Sequence, residues 1–98
     1  MNKFHDMGVH DGERRVAFHC PGCEYGHQIP VTGRRAWQWN GLFDKPTLTP
    51  SILVNRGSSN PEVPTCHSYV TDGRIQFLAD CTHKLAGKTV ELPDWDVA

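Results

Sequence analysis

Apolar positions along the chain fall in short runs that alternate with polar ones. Seven prolines and nine glycines interrupt them every few residues, so no window of a dozen residues can carry a 3.6-residue period. The pattern excludes long helices and predicts strands. In Arg14–Cys20 (RRVAFHC), Val16 and Phe18 fall on one side of an extended segment. HQIPV leads to GRRAWQWNG, where Trp37 and Trp39 share a face and Gln38 takes the other. KPTLTP cannot be helical and enters the apolar run Ser51–Asn55. The strongest local signal is CHSYVTDGRIQFLADC, two alternating runs around Asp72-Gly73, a pair suited to a type I′ turn because both central positions need positive φ. Arg56–Pro64 (RGSSNPEVP) has loop composition, His83–Ala86 suits one helical turn stopped by Gly87, and Thr89–Leu92 suits a last strand. These elements predict a mostly β fold: one domain over residues 1–98, a small antiparallel sheet with a zinc-ribbon-like metal site, a short helical turn near 83–86, and a loose N-terminal segment over 1–13.

Length matters because 98 residues lie near the lower end of what one hydrophobic core can stabilise, which makes a metal or disulfide staple useful. Apolar residues make up 38% and charged residues 21%, with a mean hydropathy of -0.50, a globular balance with no apolar run long enough to span a membrane. The first residues do not read as a signal peptide, so the expected location is the cytosol. The net charge of -1 gives no general attraction for nucleic acid or anionic lipid.

In a reducing compartment, four cysteines and six histidines point to metal rather than disulfides. Cys20-Pro-Gly-Cys23 has the spacing of a zinc knuckle: two thiolates around a tight turn, with turn N–H groups aimed at sulfur. Two further ligands must come from Cys66-His67 and Cys81-Thr82-His83. Neighbours in a strand diverge, so Cys66 and His67 should not both reach one ion, whereas Cys81 and His83 share a face. The resulting order places Cys20, Cys23 and Cys81 first, Cys66 and His83 next, and His67 and His27 as fallbacks. A thioredoxin-type dithiol fits poorly because GHQIPVTG is a weak helix, and buried free thiols are the remaining bland reading.

A site closed by four protein ligands would be structural, while three ligands would leave an open position for hydrolytic chemistry. In that second case His67, His83 or Asp80 would carry protons, with Ser68 and His27 nearby, although such residues more often merely support a site. Reading Cys66-His67 as nucleophile and base is disfavoured by the same divergence. Trp37 and Trp39 form either a stacking platform for single-stranded nucleic acid or a share of the core, and an overall charge that gives phosphate no general attraction favours the core.

CPGC with His27, then WQWNG, PTLTPSIL, CHSYVTDGRIQFL and DCTHKLAGKTVELPD, together resemble a family of small phage and prophage proteins, many labelled "ammonia monooxygenase". The resemblance runs from about Phe18 to Asp94. The chain is also more distantly similar to a domain encoded beside bacterial ubiquitin-like conjugation genes, which has a Cys-rich turn and a later Cys/His motif. The resemblance implies a zinc-binding phage accessory protein, with the family's Cys and His positions falling on Cys20, Cys23, His27, Cys66, His67, Cys81 and His83; Tyr69 stands where the family pattern has Phe. The label conflicts with the residues, since a membrane-embedded copper enzyme needs a spanning segment and a copper-selective His cluster. The expectation is therefore a zinc-stabilised β domain that acts by binding another protein through the PTLTPS and RGSSNPEVP loops. A small zinc-dependent hydrolase is the alternative, and a nucleic-acid binder the second.

Overall fold

The computed structural model describes residues 2–60 and 62–96. Among these described residues eight strands form two antiparallel sheets. Sheet A has the order β1-β2-β3, with β1 at His5–His10, β2 at Glu13–Cys20 and β3 at Tyr25–Pro30. Sheet B has the order β4-β5-β6-β7-β8, from β4 (Gln38–Trp39) and β5 (Leu48–Val54) through β6 (Cys66–Thr71) and β7 (Arg74–Phe77) to β8 (Thr89–Glu91). No helix forms among the described residues, and none is long and apolar enough to cross a membrane.

The alternation read from sequence sets the core. Val16, Phe18 and Ile29 from sheet A meet Leu48, Ile52, Val70, Ile75 and Phe77 from sheet B, and Phe4 stacks on Phe18 at 5.5 Å between ring centres. Asp72 (φ 51°) and Gly73 (φ 80°) turn β6 into β7, as their sequence predicts. Gly73 is needed twice over: a Cβ there would lie 3.2 Å from the Lys3 side chain and 3.3 Å from the Asp44 carbonyl oxygen. The 83–86 turn closes with the Ala86 N–H donating to the His83 oxygen at 3.2 Å.

Two expectations are corrected. The N-terminal segment is not loose, because His5–His10 pairs with β2 and the Phe4 ring is buried against Phe18. Most of PTLTPS is not a free loop but the first half of β5, where the register shifts between Leu48↔Val70 and Ile52↔Ser68. Four residues of β5 thus span two of β6, and this irregularity accommodates Pro50, which has no N–H to give a ladder. Trp37 and Trp39 are half-buried against the core; Trp39 packs on Phe43, and its indole N–H donates to the Leu42 oxygen at 3.0 Å.

Candidate active site and metal centre

The register decides what the cysteines and histidines do. In β6, Cys66, Ser68 and Val70 point into the core, and His67, Tyr69 and Thr71 point outward. Cys66 and His67 therefore belong to different sites on opposite faces of one strand.

On the inner side, the knuckle occupies the turn between β2 and β3, with the Glu24 N–H bonded to the Cys20 oxygen at 2.8 Å. Phe18 pairs with His27 across the ladder, which places the imidazole one step from Cys20 on the buried face. Val54↔Cys66 brings the third thiol from sheet B. The donor atoms of Cys20, Cys23, His27 and Cys66 lie within 4.8 Å of one another, and all four residues are buried. The Cys20 and Cys66 sulfurs are 3.9 Å apart, and the Cys23 N–H donates to the Cys20 sulfur at 3.4 Å. The hydrogen bond with Cys66, with help from His27 and the Cys23 amide, outweighs burial and lowers the Cys20 pKa to about 4. Burial and the neighbouring Cys20 charge push Cys23 up to about 11, and the bond to Cys20 drives Cys66 upward as well. Two features make this a fit for a soft divalent cation. Three sulfurs and one imidazole form a four-donor set of the zinc type, and the His27 Nε2 is buried with no hydrogen-bond partner.

Cys81, ranked among the first three ligands from sequence, lies outside this four-donor group. Its sulfur accepts the His67 backbone N–H at 3.2 Å and its thiol donates to the His67 oxygen at 3.2 Å. A second group contains Cys66, Cys81 and His83. His83 Nδ1 accepts the Leu85 N–H at 3.2 Å, so in the neutral ring the proton sits on the buried Nε2. That Nε2 has no hydrogen-bond partner among the described residues. The ring also packs on the knuckle, since a Cβ on Gly22 would overlap it.

On the outer face, His67 has left the cysteines for another pair of partners. Its Nδ1 lies 3.0 Å from an Asp80 carboxylate oxygen, and its Nε2 lies 3.0 Å from the Ser51 hydroxyl oxygen. The carboxylate fixes the proton on Nδ1, leaving Nε2 to accept from Ser51. Ser51 comes from β5, His67 from neighbouring β6, and Asp80 from the turn after β7, where the Cys81 N–H donates to the Leu78 oxygen at 3.2 Å. Serine, histidine and aspartate in this chain of hydrogen bonds form the constellation of a nucleophile, a general base and the group that orients it.

Residues 2–78 match the family described as "Bacterial ubiquitination-like system serine protease (BubE)". The chain belongs to that family. Membership agrees with the more distant of the two resemblances above; the matched description names a bacterial system and not a phage one. Comparison with curated proteins and with solved structures finds no match.

Sequence reasoning reached His67 and Asp80 as proton carriers but did not single out Ser51. No Gly-x-Ser-x-Gly signature surrounds it. The available signal was indirect: His67 and Asp80 each adjoin a cysteine, so inward sulfurs imply outward imidazole and carboxylate. Finding the serine required knowing that Leu53 pairs with His67, which places Ser51 diagonally beside it.

Proposed function

We propose that this member of the BubE family is a serine peptidase in which Ser51 is the nucleophile, His67 the general base and Asp80 the residue that orients and charge-balances His67. The observation that carries the reading is the single imidazole held at 3.0 Å from both the Ser51 hydroxyl and the Asp80 carboxylate. In the reaction Ser51 Oγ attacks a substrate carbonyl while its proton passes to His67 Nε2. The protonated ring gives that proton to the leaving amine, and water then releases the acyl group from Ser51 with His67 again acting as base. The family's description supports a protein substrate belonging to a ubiquitination-like system. The protein partner expected from sequence thus becomes the substrate.

Zinc is the second component. Cys20, Cys23, His27 and Cys66 would hold it, and the ion would supply cross-linking between sheet A and sheet B, which in domains of this size is folding free energy. The donor arrangement supports a structural ion in preference to the zinc-hydrolase reading. Four protein donors come together there, and two of the three groups expected to carry protons for an open metal position, His67 and Asp80, are bonded to each other, with His67 turned to Ser51 instead. Trp37 is likewise occupied, its indole N–H donating to the Ser51 backbone oxygen at 3.2 Å, which speaks against the stacking platform.

The test is labelling with a fluorophosphonate, which phosphonylates only activated serines. Mass spectrometry should place the adduct on Ser51, and Ser51→Ala should abolish it. An adduct elsewhere, or none on the native protein, would overturn the reading.

A further inference from the structure

The edge of sheet B beside Ser51 is uncovered at one residue, and the ladder shows which way its backbone faces. The His67 oxygen accepts the Leu78 N–H at 2.9 Å and its own N–H donates to Cys81, so both groups point toward β7. Alternate residues of β6 therefore bond to β5, which makes Ile52↔Ser68 and Val54↔Cys66 the hydrogen-bonded pairs. Leu53↔His67 is the intervening pair without ladder bonds, and the N–H and C=O of Leu53 point away from β6. On that side β4 reaches only Leu48 and Thr49. The Ser51 carbonyl, which faces the same way, is taken by Trp37. Among the described residues nothing pairs with the Leu53 N–H or C=O.

We propose that this gap docks an extended polypeptide as an added strand, hydrogen-bonded to Leu53, and presents its scissile carbonyl to Ser51. The inference rests on Ser51 being the nucleophile. An exposed strand edge with a free donor and acceptor is a template for another strand, and main-chain bonds of this kind bind substrates with little regard to side chain. The flanking side chains supply the alternate contacts. Leu53 and Tyr69, both 41% exposed, are two of the few large apolar groups on the surface, and they lie beside His67 and Ser51 on the outer face. Leu53 and Ser51 are two positions apart, about 7 Å along a strand, so the docked residue and the cleaved bond are separated by one or two residues. An extended segment fits this edge where a helix does not, because the feature is a backbone donor–acceptor pair and not an apolar groove.

The experiment begins with a proteome-derived peptide library cleaved by the native protein and read by mass spectrometry. The best-cleaved peptide is then resynthesised with N-methyl groups at single positions. One methylation, within two residues of the scissile bond, should raise KM at least tenfold while methylation of its neighbours does not. Leu53→Pro removes the edge N–H without touching a ladder bond, and should raise KM at least tenfold with kcat within twofold. Circular dichroism checks its fold, and the N-methyl series stands if that variant misfolds.

Fluorophosphonate labelling separates the failures. No labelling at Ser51 sinks the nucleophile itself. Labelling together with peptide cleavage that neither N-methylation nor Leu53→Pro affects sinks the docking strand alone, as does labelling without cleavage of any library peptide. A dimer that Leu53→Pro dissociates, with KM unchanged, would show that the edge serves a second copy and would also overturn the proposal.

Discussion

Asp80→Asn removes one charge from the triad and little else. The Asn oxygen can still accept the Nδ1–H, so the ring keeps its orientation; what disappears is attraction between the carboxylate and the imidazolium formed as Ser51 attacks. With the atoms 3.0 Å apart and the charge centres near 4 Å, that attraction is about 1 kcal/mol in water and about 4 kcal/mol in a medium of effective dielectric about 20. The Asp80 side chain is 59% exposed and that of His67 25%, which places the pair toward the aqueous limit and opens it to screening. The expected loss is about 1–2 kcal/mol, a roughly 5- to 30-fold slower phosphonylation of Ser51, since each 1.36 kcal/mol is about tenfold. The assay is the second-order rate of fluorophosphonate labelling, which needs no knowledge of the substrate. Raising the salt concentration should slow the native protein more than the variant and narrow the gap. A rate within twofold of native would refute the role given to Asp80. A loss as complete as that of Ser51→Ala would refute the screening argument and mean that the pair is dry in the working enzyme.

Further outcomes follow from the same geometry. Elemental analysis of the purified protein should find about one zinc per chain, as a single four-donor site requires, and Cys20→Ser or Cys66→Ser should lose it. Chelation should lower the melting temperature and also slow Ser51 labelling, because Cys66 immediately precedes His67 on β6; unchanged melting in EDTA would contradict the metal assignment. Cys81→Ser should keep its zinc, since Cys81 grips the His67 backbone and stands outside the four donors; loss of the ion would restore the ligand order expected from sequence. Gly73→Ala forces a methyl group into a left-handed turn and toward the Asp44 oxygen, at a cost of about 1–2 kcal/mol for the backbone conformation alone. For a domain of this size that lowers the melting temperature by about 4–16 °C, measurable by calorimetry.

Much of the fold was legible because its signals are local. Asp72-Gly73 specifies its turn through positive φ, the spacing of Val16 and Phe18 specifies a buried face, and the CPGC turn binds its two thiols to one place. β1 was not legible, since HDMGVH is half polar and shows its strand character only when β2 pairs with it. The second half of β5 was legible as the apolar run from Ser51, but its first half was hidden by Pro50, which reads as a breaker until the irregular register absorbs it.

The site divides along the same line. The sequence alone determined that cysteines from both halves could gather around a cation, and that Cys66 and His67 must face opposite ways, because alternation along a strand is a property of the backbone. It could not determine that Ser51, His67 and Asp80 meet, because three residues spread over thirty positions become neighbours only through the order of β5, β6 and β7 in the sheet. That order also gathers His27, and not Cys81, with Cys20, Cys23 and Cys66. Pairing across a ladder selects a donor by which face it lands on, and no spacing in the chain encodes the face until the register is set.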